Sequence, residues 1–309
     1  MNITHADLAS HHPDQLHPAL SRECAPLYWE AVARGEEIAK RTDVTIVGLC
    51  RNSQPWIQFN TQRIEQLGQR FANWRAFVYE NDSKDGTAEY LRDWEASCKN
   101  ASVETVVHDR PMLSSEKSRR RTVALAEYRA RCQAWAEDHK PAGVAHRVIV
   151  IDLDTWGGWS DDGVMTGLHH LEDRPGAAGM ASVSSIEMAV PAMPGGRLRI
   201  HYDAWAYRAN HWTEHDMGWF PHWWPPVGSD PVPCRSAFGG LTIYRPDAFF
   251  AGTYSGEDCE HVTFHRSIRE STGLGMFLNP SQRMVMNWME TSDAGHRLDR
   301  VQDVPDNAA

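Results

Sequence analysis

Two aspartates separated by one leucine, Asp152 and Asp154, are the strongest chemical signal in the sequence. They directly follow Val148–Ile151, an apolar β-branched run that is typical of a buried strand. An Asp-x-Asp turn places two carboxylates on one side of the chain, and such hard oxygen ligands suit Mg²⁺ or Mn²⁺ bridging a diphosphate. The tripeptide can also be a solvated turn, but its position at a strand end favours a metal site.

A second polar tract, Tyr79–Thr87, also follows a predicted strand. Its carboxylates could bind a nucleobase or a ribose, and Gly86-Thr87 opens a predicted helix whose N-terminus favours anions. The alternative is local capping, with Asp85 as the N-cap of that helix.

Arginines are concentrated on the helix predicted over residues 115–138. Arg121 and Arg129 are eight residues apart, about two turns, so they can share one face and bind phosphates. The alternative is that they are ordinary surface charges.

The order of predicted elements explains how these clusters meet. Strands are predicted over 44–50, 76–79, 103–107 and 147–151, separated by helix-length segments, which indicates βαβ units and a mostly parallel sheet. Such sheets bind ligands beyond the carboxyl ends of their strands, where the polar clusters at 51–53, 80–85 and 152–154 lie. Residues 201–234 are instead rich in tryptophan, histidine and proline, which predicts a loop-rich binding wall.

Composition limits the partners. The 309 residues carry 31 Lys and Arg against 41 Asp and Glu, a net charge of −10, which argues against binding nucleic acid or anionic lipid. The polar N-terminus and the absence of a long apolar run predict a cytoplasmic protein without an integral membrane segment. We expect a flexible arm over 1–24 and one domain over 25–300, with a nucleotide-binding half at 44–156 and an acceptor-side half at 157–290.

Seven motifs together resemble one known family. They occur in the family's order between about residues 44 and 288, and the tract at 79–87 and the Tyr-Asp-x-Trp at 202–205 are the most specific. The motifs are FVYENDSKDGTAEYL (77–91), RRRTVALAEYRARC (119–132), VIVIDLDTW (148–156), YDAWAYR (202–208), FGGLTIYRPDAFF (238–250), EDCEH (257–261) and FLNPSQRMVM (277–286). The chain is similar to the fungal capsule α-1,3-mannosyltransferases, glycosyltransferase family 69.

The resemblance implies an α/β fold of GT-A type, with a Rossmann-like, mostly parallel sheet flanked by helices and a loop-rich acceptor side. It also implies a GDP-mannose-type donor, Mn²⁺ or Mg²⁺ as cofactor, and α-stereochemistry. The donor-binding residues would be Arg51, Asn52 and Asp82 at the nucleotide, Arg121 and Arg129 at the diphosphate or guanine, Asp152 near the ribose and the metal, Asp154 on the metal, and Gly239 and Gly240 at the donor sugar.

The acidic run at 256–260 lies where GT-A enzymes keep a carboxylate near the anomeric carbon. An inverting enzyme needs a general base there, whereas a retaining one needs an anionic group or lets the leaving diphosphate take the acceptor's proton. We expect Glu260 or Asp258 to serve, with Glu260 the more important, and another carboxylate to cap the helix predicted over 262–268.

His261 and His265 lie four residues apart on that helix, and the resemblance implies a late histidine in the metal shell. His265 is our predicted ligand, although either histidine can instead be structural. Tyr202, Asp203 and Trp205 are the predicted acceptor wall, because aromatic rings stack on sugars while carboxylates bind hydroxyls.

The sequence therefore predicts a metal-dependent transferase that moves a hexose, favoured as mannose from GDP-mannose with retention, to a glycan or glycolipid. An inverting UDP-sugar transferase and a non-catalytic carbohydrate-binding protein remain the alternatives.

Overall fold

The structure is a computed structural model that describes residues 18–112, 118–142, 145–189, 197–213 and 218–287. Residues 1–17 of the predicted arm and the residues after 287 lie outside the described ranges. The helices are α1 (Ala25–Ala39), α2 (Ile57–Gly68), α3 (Thr87–Ser97), α4 (Arg119–Asp138), α5 (Asp161–Asp173), α6 (Pro246–Ala251) and α7 (Glu260–Thr272). The strands are β1 (Thr42–Cys50), β2 (Asn73–Asn81), β3 (Ala101–Val106), β4 (Ala145–Asp152), β5 (Gly158–Trp159), β6 (Ala177–Ala189), β7 (Arg197–His201), β8 (Val232–Cys234), β9 (Leu241–Tyr244) and β10 (Gly275–Asn287).

The strands form one sheet in the order β3-β2-β1-β4-β9-β6-β10-β5. β1 pairs in parallel with β2 on one side and with β4 on the other, with Leu49 opposite Asp152 and Cys50 opposite Glu80. The chain order reverses between β1 and β4, and such a switch point opens a crevice at the carboxyl ends of the strands. The predicted polar clusters follow these strand ends.

The α/β class with flanking helices is confirmed, and the four parallel strands predicted in the first half are present. The second half is mixed, because β9 runs antiparallel to both β4 and β6, and β7 is antiparallel to β6. Only residues 190–196 connect β6 to β7, which is too short for the crossover that a parallel pair requires.

The core has one layer on each side of the sheet. Alternation along β1 directs Val44 and Ile46 towards α1, α2 and α5, and directs Val47 towards α4, α6 and α7. Among the described residues, no helix combines the length and apolar character that a membrane crossing requires.

Candidate active site

A cavity of about 1050 Å³ opens at the switch point. Leu49 and Cys50 of β1 and Asp152 of β4 form its floor, and α4, the segment around Trp205 and the start of α7 close its sides. The predicted site residues that it brings together are Arg51, Arg121, Arg129, Asp152, Asp154, Tyr202, Asp203, Trp205 and Glu260.

One side of the cavity is strongly basic although the protein is acidic. We call this set the arginine wall: Arg51, Arg110, Arg119, Arg120, Arg121 and Arg129. Arg51 Nη2 donates to the Arg110 carbonyl at 2.8 Å, and the Arg121 guanidinium lies 5.0 Å from the Trp205 ring centre. Arg121 also belongs to the first turn of α4, where Ser118 caps the helix. Guanidinium groups beside a helix N-terminus suit a phosphate or diphosphate.

Arg129 and Asp152 form the innermost ion pair of the cavity. The Arg129 guanidinium donates to the Asp152 carboxylate, and the Arg129 side chain is only 3% exposed. Burial alone would lower the pKa of Arg129, but the Asp152 carboxylate raises it above its usual value. Arg129 is therefore a permanent cation beside the Asp-x-Asp turn.

The Asp154 carboxylate is exposed to the cavity. The pKa of Asp154 is raised to about 6, first because the surrounding protein desolvates the carboxylate and second because Asp152 repels its charge. A cation between the two carboxylates would relieve this repulsion. No group of three or more His, Cys, Asp or Glu side chains in the described ranges is arranged to hold a metal ion. The two aspartates alone could supply oxygen ligands to a divalent cation, and their mutual repulsion fits such an ion.

The structure separates the two predicted catalytic carboxylates. Glu260, the first residue of α7, is buried and faces the cavity, and burial raises its pKa although Arg129 opposes the shift. Asp258 does not line the cavity: it accepts from Arg208 Nη2 at 3.1 and 3.0 Å and from the Cys259 N–H at 2.7 Å. Its carboxylate holds the chain in place before α7. Asp258 is therefore a structural residue, and its predicted catalytic role is wrong.

The two histidines of α7 also differ. His265 Nδ1 lies 2.8 Å from Ser236 Oγ and its Nε2 lies 2.8 Å from the Tyr244 hydroxyl, so neither nitrogen is left for a metal. His265 is buried outside the cavity lining, in contrast to its predicted role. His261 does line the cavity, and its ring stacks on Phe238 with centres 3.6 Å apart.

Asn52 and Asp82 support the arginine wall without lining the cavity. The Asn52 side-chain oxygen accepts from the Lys84 N–H at 2.8 Å. Asp82 accepts from the N–H groups of His108 and Asp109 at 2.7 and 2.9 Å. Both residues have positive φ, 50° and 55°. These contacts fix the turns next to Arg51 and Arg110. We predicted that Asn52 and Asp82 would contact the nucleotide directly, but neither side chain lines the cavity.

The N-cap of α3 is Gly86, so the prediction that Asp85 is the N-cap is wrong by one residue. The Asp85 carboxylate nevertheless accepts from the Thr87 N–H at 3.0 Å in the first turn of α3. The same side chain accepts from the Gln54 N–H at 2.9 Å, which joins the turn after β1 to the turn after β2. This residue is therefore structural.

Gly239 and Gly240 lie behind the cavity and do not line it. Both have positive φ, 63° and 80°, and a Cβ on Gly239 would lie 2.1 Å from the Ser182 carbonyl oxygen. The Gly240 carbonyl accepts from the Asp152 N–H at 2.8 Å. The glycines thus allow close packing that supports Asp152, in place of the predicted approach to the donor sugar.

The predicted acceptor wall is only part of the aromatic region. Tyr202, Asp203 and Trp205 line the cavity, and burial together with nearby carboxylates raises the pKa of Asp203 to about 7, although the Gly239 N–H donates to it at 2.9 Å. Trp224 instead stacks on His201, with ring centres 5.3 Å apart, in a cluster outside the lining.

Tyr128 is a lining residue that we did not predict. Its ring stacks on Tyr79 and His108, with centres 5.3 and 5.5 Å apart, beside Asn81 and Arg110. The signal was present in the sequence, because Tyr128 lies seven residues, or two helical turns, after Arg121.

No family model matches the chain, and no curated protein matches it. Solved structures similar to it include a mannosyltransferase from Pyrobaculum calidifontis in complex with GDP-Man and Mn²⁺, at 13% identity over 91% of this chain and 70% of that chain, with a TM-score of 0.44. S. aureus TarS 1-349 matches at 9% identity over 79% and 60%, with a TM-score of 0.44. GalNAc-T7 with UDP, GalNAc and Mn²⁺ matches at 12% identity over 80% and 43%, with a TM-score of 0.49. The chain spans 43% to 70% of these chains.

Proposed function

We propose that the chain is a metal-dependent glycosyltransferase that transfers a hexose from a nucleotide-sugar donor. The observation that carries this proposal is that the arginine wall and the Asp152 and Asp154 carboxylates line one cavity at the switch point, where Arg129 pairs with Asp152. Cationic side chains that share a cavity with paired carboxylates suit a diphosphate that shares a divalent cation with the protein. The volume of about 1050 Å³ is large enough for a nucleotide-sugar.

Two groups of side chains that line the cavity differ in their chemistry. The Tyr128 ring, with Asn81 and Arg110 beside it, offers an aromatic surface with polar neighbours for a nucleobase. Trp205, Tyr202 and Asp203 offer aromatic and carboxylate contacts for an acceptor glycan or glycolipid. The diphosphate would bind along the arginine wall.

The side chains on either side of the diphosphate support its departure. Arg121 and Arg129 would stabilise the negative charge that develops on the leaving group, because preorganised donors need little rearrangement in the transition state. A divalent cation, when held by Asp152 and Asp154, would supply further charge stabilisation at the same oxygens.

Glu260 is the cavity carboxylate available for the reacting centre. In the retaining reaction that we favour, the leaving phosphate oxygen takes the acceptor proton and Glu260 stabilises positive charge at the anomeric carbon. In the inverting alternative, Glu260 is the general base, and its raised pKa suits that role. Mannose from GDP-mannose and the α-linkage are favoured by the resemblance to glycosyltransferase family 69.

A thermal-shift series tests the proposal. We expect GDP with Mn²⁺ to raise Tm more than GDP with EDTA, because a ligand that binds only the native state stabilises it. If the enzyme is instead a UDP-sugar transferase, we expect UDP with Mn²⁺ to give the larger Tm shift. Arg121→Gln should reduce the shift, whereas Arg131→Gln is the matched control, since Arg131 pairs with Glu104 on the exposed side of α4. No Tm shift with either nucleotide would refute the proposal.

Turnover separates an enzyme from a carbohydrate-binding protein. Release of GDP from GDP-mannose in the presence of oligosaccharide acceptors, with an α-linked product by NMR, is expected. A β-linked product from an α-linked donor would establish the inverting alternative. Glycan binding that EDTA does not weaken, without release of a nucleoside diphosphate, would favour the non-catalytic alternative.

A further inference from the structure

The buried side of the cavity carries polar atoms that the described protein does not satisfy. Arg129 Nε and Nη1 and both ring nitrogens of His261 have no hydrogen-bond partner. The two side chains are 3% and 2% exposed, and both line the cavity. An unsatisfied buried polar group costs about 1–3 kcal/mol, so these atoms indicate a polar ligand.

Packing fixes both groups in place. The His261 ring lies parallel to the Phe238 ring, with an interplanar angle of 16° and centres 3.6 Å apart. The Arg129 guanidinium lies 5.0 Å from the centre of the same phenyl ring. Glu260 Oε1 lies 3.6 Å from His261 Nε2, too far for a hydrogen bond between them. The other Glu260 oxygen, Oε2, accepts from the Cys259 thiol at 3.7 Å. The Glu260 Oε1, the Arg129 Nε and Nη1 and the His261 ring nitrogens therefore remain available to a third partner.

The donor and acceptor capacities of this cluster match hydroxyl groups. A guanidinium only donates, an ionised carboxylate only accepts, and a neutral imidazole donates from one nitrogen and accepts at the other. Burial and the nearby Arg129 cation lower the pKa of His261, so the imidazole is neutral. The same cation disfavours a metal ion at His261.

We propose that Arg129, Glu260 and His261 form the subsite that binds the hydroxyl groups of the transferred hexose, with His261 as a specificity-determining contact. This inference rests on the proposed function. Because Arg129 also pairs with Asp152, the subsite lies next to the position proposed for the diphosphate. The hexose would thus be buried while the nucleotide extends towards Tyr128.

The test compares a nucleoside diphosphate with its hexose conjugate. Calorimetric titrations with Mn²⁺ give Kd for GDP and GDP-mannose, and for UDP and UDP-glucose. In His261→Phe we expect Kd for the nucleoside diphosphate within about twofold of the wild type, and about tenfold weaker binding of the conjugate. Tm should stay constant or rise, because the substitution removes unsatisfied buried nitrogens.

His265→Phe is the matched control. His265 lies one turn further along α7 and is equally buried, but its nitrogens are bonded to Ser236 and Tyr244. We expect His265→Phe to lower Tm without changing the ratio of the two Kd values. His261→Gln, which keeps a hydrogen-bonding side chain, is the second variant and should lose less conjugate affinity than His261→Phe.

The outcomes separate the two proposals. If the wild type binds a nucleoside diphosphate and both His261 variants keep the wild-type Kd ratio within about twofold, the hexose subsite is wrong and the proposed function stands. If the wild type binds none of the four compounds, the proposed function fails and the subsite fails with it.

Discussion

The guanidinium of Arg129 donates a hydrogen bond to the carboxylate of Asp152, and this contact joins α4 to the last residue of β4. It makes the two carboxylates of the Asp-x-Asp turn inequivalent. Asp152 has a protein cation as its partner, whereas Asp154 faces the cavity and has its pKa raised to about 6. Asp154 is therefore the carboxylate with more to gain from an external cation.

Breaking this pair should destabilise the protein. We expect Arg129→Met to lower the free energy of unfolding by about 3 kcal/mol, because removal of one partner leaves the other charge partly buried without compensation. Urea denaturation measures the loss. Arg129→Met combined with Asp152→Asn should recover part of it, since the orphaned charge is also removed. Losses that simply add in the double variant would contradict the coupling.

Asp154→Ala should abolish hexose transfer while the protein stays folded. The carboxylate faces the cavity and makes the smaller contribution to the surrounding structure, whereas a bound cation would lose a ligand. The measurement is GDP release at saturating Mn²⁺ together with the circular dichroism spectrum. Asp152→Ala should reduce transfer less completely but lower Tm more, because it leaves Arg129 unpaired. Near wild-type activity of Asp154→Ala would refute the metal assignment.

The raised pKa of Asp154 also predicts a pH dependence without metal. A carboxyl group whose pKa is higher in the folded state favours folding below the unfolded value near 3.8, and this advantage is lost as the pH rises through about 6. In EDTA, Asp154→Asn should therefore be more stable than the wild type at pH 8 and equal to it near pH 4. Solvent in the cavity screens the charge, so we expect about 1 kcal/mol at pH 8.

Those parts of the fold and site that depend on a local residue pattern could be predicted from the sequence. Val148–Ile151 is apolar and β-branched, so the strand and the exit of Asp152 and Asp154 from its end follow from the pattern alone. The roles of His261 and His265 could not follow in this way. They share one face of a helix, and only the distant residues Ser236 and Tyr244 determine which histidine is satisfied internally.

Asp258 illustrates the same limit. It lies two residues before Glu260, and both are acidic, so local sequence cannot separate their roles. The distinction comes from Arg208, fifty residues earlier, whose guanidinium approaches Asp258 through the folded chain. Gly239 is similar, because the Ser182 carbonyl oxygen, more than fifty residues earlier in the chain, leaves no room for a Cβ at this position.

Arg208 should position the acceptor side of the cavity. It is 1% exposed, donates to both Asp258 oxygens, and also donates to the carbonyls of Trp205 and Trp212 at 2.7 and 3.0 Å. Arg208→Lys keeps the charge but loses the planar fork. We expect about 2 kcal/mol lower stability and at least tenfold lower kcat/KM for the acceptor, with GDP affinity unchanged.

The control for Arg208 is Arg235→Lys. Arg235 donates at 3.1 Å to the carbonyl of Asn210, which lies two residues after Arg208, but Arg235 does not contact Asp258. Its substitution should leave both stability and acceptor kinetics near the wild type. A weaker GDP affinity in Arg208→Lys would show that the arginine acts on the whole cavity and not on its acceptor side.

Buried neutral histidines should make the fold sensitive to mild acid. Burial lowers the pKa values of His146 and His170 to about 4 and those of His201 and His265 to about 3. A histidine with a depressed folded-state pKa contributes its full stability above the unfolded value near 6.5 and loses it as the pH falls. Asp154 and Asp203, whose raised carboxyl pKa values act in the opposite direction over this range, are outnumbered by the four histidines, so we expect the free energy of unfolding to fall between pH 7 and pH 5.

His201 offers the sharpest test of this acid sensitivity. Its ring is 2% exposed and stacks on Phe220 and Trp224, with centres 4.1 and 5.3 Å apart, so a phenyl ring can replace it. Between pH 7 and pH 5 the unfolded chain gains a proton at this position that the folded chain does not, which is worth about 2 kcal/mol. Urea denaturation should therefore show that His201→Phe loses about 2 kcal/mol less stability than the wild type between pH 7 and pH 5. Because the substitution also removes the contact between Nδ1 and the Trp223 carbonyl, the variant can be less stable at pH 7, and only the difference between the two pH values tests the prediction. Parallel pH profiles for the variant and the wild type would mean that His201 titrates normally in the folded protein.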